Sequence, residues 1–346
     1  MEVSGELTSD AIWEGDVLLQ GDVVVPEGRT LRLRAGTALS FAAKPRWSCA
    51  VFRSAPEGYP IETSSREHCD LVVFGRLQVE GSAERPVALG RPEDRWGGIT
   101  LLGRGTARLE HARVRGAAGG EEALFQCFDD SRLELRGCTL SHARVGVLAW
   151  GLSSVSAHES LVEDVGCAFF CREGSTTDLS RVRCRRAEQG AWGQNWALAR
   201  LEDCRFENCS VFGAGAYDRS RLTVVRGFFG ACRQGLLGAS TASADALAAE
   251  FRDNRVGVQG IESARMSLKG CVVASSEEHG AKFSQSSRAT VEDCRFAGNR
   301  LTGIFSEDDA RVAVSECEFE EPTATATADR GAILSTGNRV VVVGRT

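Results

Sequence analysis

Four carboxylates, Asp129, Asp130, Glu173 and Asp218, are the side chains best placed to do chemistry. Each follows a short alternating apolar segment, as do Glu262, Glu307, Asp308 and Asp309. A pair of carboxyl groups at a set separation is what glycoside hydrolysis requires. Cysteine is the second candidate chemistry, with 13 Cys against 5 His. A metal centre needs converging ligands at spacings such as CxxC, and no CxxC pair occurs. Cys167 and Cys171 lie four residues apart on one alternating segment. Cys49, His68 and Cys69 form the one local group suited to a metal or a disulfide. Gly-rich phosphate loops, nucleophile elbows and HExxH are absent. Nothing in the pattern calls for a cofactor.

What these groups can reach depends on the elements that carry them. The chain has 346 residues, 25% charged and 42% hydrophobic, an ordinary globular balance. Its net charge of −6, from 41 Lys+Arg and 47 Asp+Glu, argues against nucleic acid or an anionic membrane surface as partner. No apolar run is long enough to span a bilayer. The first residues, MEVSGELTSDAIW, are acidic and polar, unlike a signal peptide. Many thiols and an odd cysteine count point to a reducing compartment, hence the cytoplasm.

The decisive pattern is an internal repeat. In SRLELRGCTLSHARVGVLAWG, beginning at Ser131, apolar or small residues fall at Leu133, Leu135, Cys138, Leu140, Val147 and Ala149. The first of these recurs as Ala107, Leu133, Val155, Thr177, Ala199, Leu222, Ala244, Met266, Ala289 and Val312. All but the first step are 22 or 23 residues. A later file reads Phe125, Val147, Phe169, Ala191, Ala214, Leu236, Val258, Ala281, Ile304. Within a unit, paired positions are two apart, the period of a strand. Three short strands per unit, with no 3.6-residue period, predict an all-β parallel β-helix of about 22 residues per coil, with three parallel sheets.

Five cysteines (Cys138, Cys204, Cys271, Cys294, Cys317) share one inward file, where free thiols serve as small buried hydrophobes. Glycines precede many first-sheet strands (Gly146, Gly190, Gly213, Gly235, Gly257, Gly280, Gly303) and are expected to form corners at positive φ. With about 4.8 Å per coil, Glu173 and Asp218 stand two coils and ~10 Å apart. That separation is marginal for an inverting pair.

Residues 1–105 are expected to be capping coils interrupted by a loop at 42–70. Residues 106–346 continue as regular coils of the same domain, with a loop at 320–330 and a closing strand at 337–346. The series VPEG-TLRL-AGT-LSF (from Val25), G-LQVEGSAERPVAL (from Gly75) and WGGI (from Trp96) resembles bacterial right-handed parallel β-helix repeat proteins, of the pectate-lyase-like, carbohydrate-binding and sugar-hydrolysis superfamily. The resemblance covers essentially the whole chain. It implies a right-handed single-stranded helix whose first sheet and flanking turns form a polymer-binding groove. It also implies an exported protein, against the cytoplasmic reading above. The family's catalytic signatures are missing: the NTD, DD, GHG and RIK set, a calcium cluster beside RPEDR (Arg91 to Arg95), and DPHE.

The outward files separate the three sheets. Those of the second and third are largely polar. On the first sheet, one file reads Gln126, Leu148, Phe170, Trp192, Gly215, Leu237, Gln259, Lys282, Phe305. The next reads Phe128, Trp150, Arg172, Gln194, Tyr217, Ala239, Ile261, Ser284, Glu307, with Trp196 in the adjoining turn. An outward apolar stripe of this extent marks a binding or oligomer surface. The expected ligand contacts are Phe128, Leu148, Trp150, Phe170, Trp192, Trp196, Tyr217 and Phe305. The leading expectation is a non-catalytic scaffold that binds an extended polymer, a polysaccharide or a peptide, on this face. The alternatives are a polysaccharide lyase, hydrolase or epimerase with an atypical site, and a structural rod that associates with its own copies through the apolar face.

Overall fold

The computed structural model describes residues 1–42, 69–91, 94, 96–116 and 123–320, and the backbone of 326–329, 332–336 and 342–344. Trp47, Cys49, Tyr59 and His68, and most of the expected 42–70 loop, lie outside the described residues. Cys69 and Asp70 already belong to the strand Cys69–Val73. Within the stretch expected as a loop at 320–330, Ala326–Asp329 is a strand paired with Thr302–Glu307.

The chain is an all-β parallel solenoid of about 13 turns, about 22 residues each. It divides into two compact units, Met1–Phe170 and Cys171–Thr346. One turn of the second unit shows the construction. Leu198–Glu202 leads through Asp203 to Arg205–Glu207, through Asn208 to Phe212–Ala216, and through Asp218 to the next turn at Arg221–Val225. The three corner residues have φ of 53°, 57° and 56°. In the first unit Arg132–Arg136 and Thr139–Ala149 flank Gly137, and the longer strand runs on through His142 at φ 60°.

The inward files stack as the repeat requires. In the first unit Ala107 pairs with Leu133 and Leu133 with Val155. In the second, Ala199, Leu222, Ala244, Met266, Ala289 and Val312 are consecutive partners. So are Ala191, Ala214, Leu236, Val258, Ala281 and Ile304. Phe206 and Phe229 stack with centroids 5.4 Å apart and planes at 4°, and Phe229 and Phe251 at 5.1 Å. At strand spacing the Phe file stacks like on like, whereas the Ala199 to Val312 file alternates small and large residues.

The glycines work differently from expectation. None of Gly146, Gly190, Gly213, Gly235, Gly257, Gly280 and Gly303 has positive φ. They provide space. A Cβ on Gly190 would stand 2.0 Å from the Gly213 carbonyl oxygen and 2.5 Å from the Phe206 ring. On Gly213 it would stand 2.6 Å from the Phe229 ring. The left-handed corners instead carry mostly side-chain-bearing residues, including Asp203, Arg226, Ala248 and Asp293 in one corner file.

Opposite substitutions therefore have opposite effects. Gly213→Ala overpacks a closed contact and should cost about 1–3 kcal/mol. Ala248→Gly relieves a left-handed alanine (φ 51°) that costs roughly 1–2 kcal/mol, against about 0.5–1 kcal/mol of glycine's unfolded-chain entropy. It should leave stability unchanged or raise it by up to about 1.5 kcal/mol. Urea midpoints of the two variants check the pair; equal losses would contradict this account.

Candidate functional site

The four carboxylate candidates are corner residues. Asp129, Glu173 and Asp218 have φ of 56°, 52° and 56°, in one file with Glu262, Gln285 and Asp308. Asp and Asn enter this conformation more readily than most side chains. Their side chains also serve the neighbouring turn. The Gly103 N–H donates to Asp129 Oδ2 at 3.0 Å, and Asn195 Nδ2 donates to Glu173 Oε1 at 2.6 Å. Glu262 N–H donates to Gln285 Oε1 at 2.6 Å, and Gln285 N–H to Asp308 Oδ2 at 3.1 Å. Asp130 is exposed beside Asp129. Of the four, Asp129 thus caps a backbone donor and Glu173 holds a side-chain amide at the corner of the next turn.

The cysteines have a similar task. All twelve described cysteines are free and buried. In the predicted inward file, Cys138 Sγ lies 3.4 Å from the carbonyl oxygens of both Leu109 and Arg136. Cys204 lies 3.3 Å from that of Leu179 and 3.4 Å from that of Glu202. Cys271 and Cys317 repeat the arrangement. Where the file has Ser160, its hydroxyl donates to the His158 carbonyl at 2.9 Å. The thiols are thus weak donors to corner carbonyls as well as small hydrophobes. Among the described residues, no three His, Cys, Asp or Glu side chains are grouped to hold a metal ion. Cys69 of the expected cluster is buried, and its thiol faces the Leu19 and Ala42 carbonyls. Burial, and then Asp22 and Asp70, push its pKa up to about 12.

On the outward face of the first sheet, the first unit carries an apolar cluster. Val24, Val72, Leu102 and Phe128 are buried together, with Phe74, Leu148 and Trp150 packed against them. Phe128 is fully buried, which corrects its expected place among the ligand contacts. Aromatic and aliphatic side chains stacked turn on turn cover one another, so an outward position need not be exposed. Leu148, Trp150 and Phe170 are half-buried.

The second unit has its own aromatic group. Trp192 meets Tyr217 edge-on at 5.6 Å and Phe212 at 6.2 Å. Phe212 lies over Gly215, where a Cβ would stand 3.0 Å from its ring. Trp192 and Tyr217 are half-buried. Trp196, 58% exposed, lies under the Arg219 guanidinium at 4.8 Å.

Further along the same file, Gln234 and Gln259 share a hydrogen bond of 2.5 Å. Lys282 pairs with Glu307 at 2.9 Å and lies 5.6 Å above the Phe305 ring. His279 stacks on Phe305 at 4.7 Å, and its Nδ1 is 2.8 Å from the Thr302 hydroxyl. Gln259, Lys282, Phe305 and Glu307 were expected to face outward; Gln234, His279 and Thr302 were missed in the sequence. The strand His279–Phe283 has two consecutive buried residues, Gly280 and Ala281, before alternation resumes. Counting back by twos from Ala281 puts His279 inside, whereas it faces out. Phe212 was missed for the same reason.

Residues 199–346 match the family described as right handed beta helix region. The described strands as a whole form a parallel β-helix of repeated turns. This β-helix is similar to the periplasmic alginate epimerase AlgG at 8% identity and a TM-score of 0.42, over 96% of this chain and 80% of that one. It is similar to tailspike protein 3 of bacteriophage CBA120 at 10% identity and a TM-score of 0.33, over 95% of this chain and 56% of that one. Both likenesses concern the fold alone. No curated protein matches the β-helix. Among the described residues, no helix is long and apolar enough to cross a membrane.

The thiols of the β-helix supply a pH signature. Burial pushes Cys171 and Cys204 up to about 11. The folded state then keeps protons that unfolded thiols release above a pKa of about 8.5. Folding stability should be full below pH ~8.5 and decline as pH rises toward ~11. Urea melts at stepped pH check the slope. In native protein at pH 8, a thiol reagent should leave all twelve described cysteines unmodified, and denaturant should release them.

Proposed function

We propose that the β-helix is a non-catalytic recognition scaffold that binds an extended polysaccharide on the outward face of its first sheet. The half-buried Trp192–Tyr217 pair carries this reading. It offers ring surface to a ligand while Phe212 and Gly215 hold the rings from beneath. Sugar rings have apolar faces that pack on such platforms, and their hydroxyls need adjacent polar partners. Gln259, Lys282, Glu307 and His279 supply those partners in the same unit. Trp196 adds an exposed ring at the adjoining turn. In the first unit, Leu148 and Trp150 form a smaller patch on a buried floor.

We favour binding over catalysis because Asp129 and Glu173 are already engaged in hydrogen bonds at the corners. The compartment follows less directly. Unpaired cysteines suit a reducing interior such as the cytoplasm. Burial would protect the same thiols in an exported protein.

A glycan-array screen followed by titration tests the proposal. Trp192→Ala should raise Kd about tenfold for the best glycan, the equivalent of ~1.4 kcal/mol. Tyr217→Ala should act in the same direction. If no glycan binds, and Trp192→Ala instead turns a dimer into monomers, the face is a subunit interface and the proposal fails.

A further inference from the structure

Resting on that reading, we infer that the polymer is neutral and hydroxyl-rich rather than a polyanion. The charges of the face carry the inference. Three outward files of the second unit compose it. One runs Gln189, Phe212, Gln234, Val256, His279, Thr302; the next Trp192, Gly215, Leu237, Gln259, Lys282, Phe305; the third Arg172, Gln194, Tyr217, Ala239, Ile261, Ser284, Glu307. Formal charge occurs at only three of these positions. Lys282 and Glu307 neutralise each other at 2.9 Å, with side chains 27% and 31% exposed. Arg172, in the first turn, is engaged with other groups.

Among the described residues, the other titratable groups in these three files are Tyr217 and His279, while Arg219 lies over Trp196 at the adjoining turn. Burial and then Lys282 push the His279 pKa below the usual histidine value, so the ring is neutral at pH 7. Glu278 beside it and Glu307 act the other way, and the preceding turn presents uncharged Val256 and Gln259. Tyr217 is pushed up by burial and by Glu262, so it too is neutral.

Beyond Arg172 in its first turn, the face therefore offers rings, amides, hydroxyls, an imidazole and one compensated ion pair. Each polar group can donate to or accept from a sugar hydroxyl. A carboxylate arriving beside Lys282 would meet Glu307 as well, and would have to displace it to gain a charge-assisted hydrogen bond. The net charge of −6 adds a small penalty for any polyanion.

Titration with a neutral β-glucan oligosaccharide and a uronate oligosaccharide of equal length tests this, at low and high salt. Wild type should bind the neutral oligomer at least about tenfold more tightly, with little response to salt. Glu307→Gln frees Lys282, so neutral binding should weaken severalfold and uronate binding should strengthen and become salt-sensitive. Lys282→Met should weaken neutral binding with no gain for the uronate, which separates charge from misfolding. A thermal melt confirms that each variant is folded. Tighter, salt-sensitive uronate binding by wild type would overturn the neutral-polymer inference while leaving the binding face intact. Failure of both oligomers and of the wider glycan array, with Trp192→Ala indistinguishable from wild type, would overturn the binding face itself.

Discussion

Every turn must close on itself and arrive one strand spacing along, in register. That requirement governs the rest of the structure. It is met by left-handed corners, and most of their residues have side chains. Each such residue costs roughly 1–2 kcal/mol in backbone strain, which persists only where the surroundings hold it. They do so by repetition. Asn254 accepts from the Cys232 N–H and donates to the Phe229 carbonyl, and Asn299 does the same for Ser276 and Val273. The thiols of the cysteine file face corner carbonyls in the same manner. A polar atom at a corner thus belongs first to the closure of its turn.

This explains why the inward files were legible in the sequence and the candidate chemistry was not. Leu133, Leu222 or Phe229 can be placed from spacing alone, because an apolar residue at period two has one task. Asp129 and Glu173 have two readings, catalytic or corner. The choice depends on which backbone N–H or amide lies in the next turn, something no local pattern displays. Cysteine is similar: its burial follows from its file, but its donation to the Arg136 or Glu202 carbonyl follows from the corner just before it.

The errors on the outward face have a geometric cause. Gly213 and Gly280 lie where the backbone of the next turn approaches too closely for a side chain. The strand there spends two residues facing in, and strict alternation inverts everything before the glycine. Phe212 and His279 are on the wrong side of that inversion. The sequence therefore revealed Trp192, Tyr217, Lys282 and Phe305 as outward, but not the residues that complete their surroundings. Phe128 failed for another reason. Alternation predicts direction, whereas exposure depends on how fully the stacked neighbours Leu102 and Trp150 cover it.

In-register stacking also bears on the charge of the face. Like charges directly opposite one another destabilise a sheet, so a neutral face could be a mere consequence of the fold. The second sheet shows that it is not. Arg265, Arg288 and Arg311 are consecutive partners there, all exposed, and none makes an ion pair among the described residues. Elsewhere the fold alternates signs, as where Arg226 reaches both Glu202 and Asp203. A β-helix of this composition can thus carry an uncompensated basic file and does so away from the aromatic rings. The compensation of Lys282 by Glu307 is then a property of that face rather than of the solenoid. It sets the rings among groups suited to hydroxyls rather than to carboxylates.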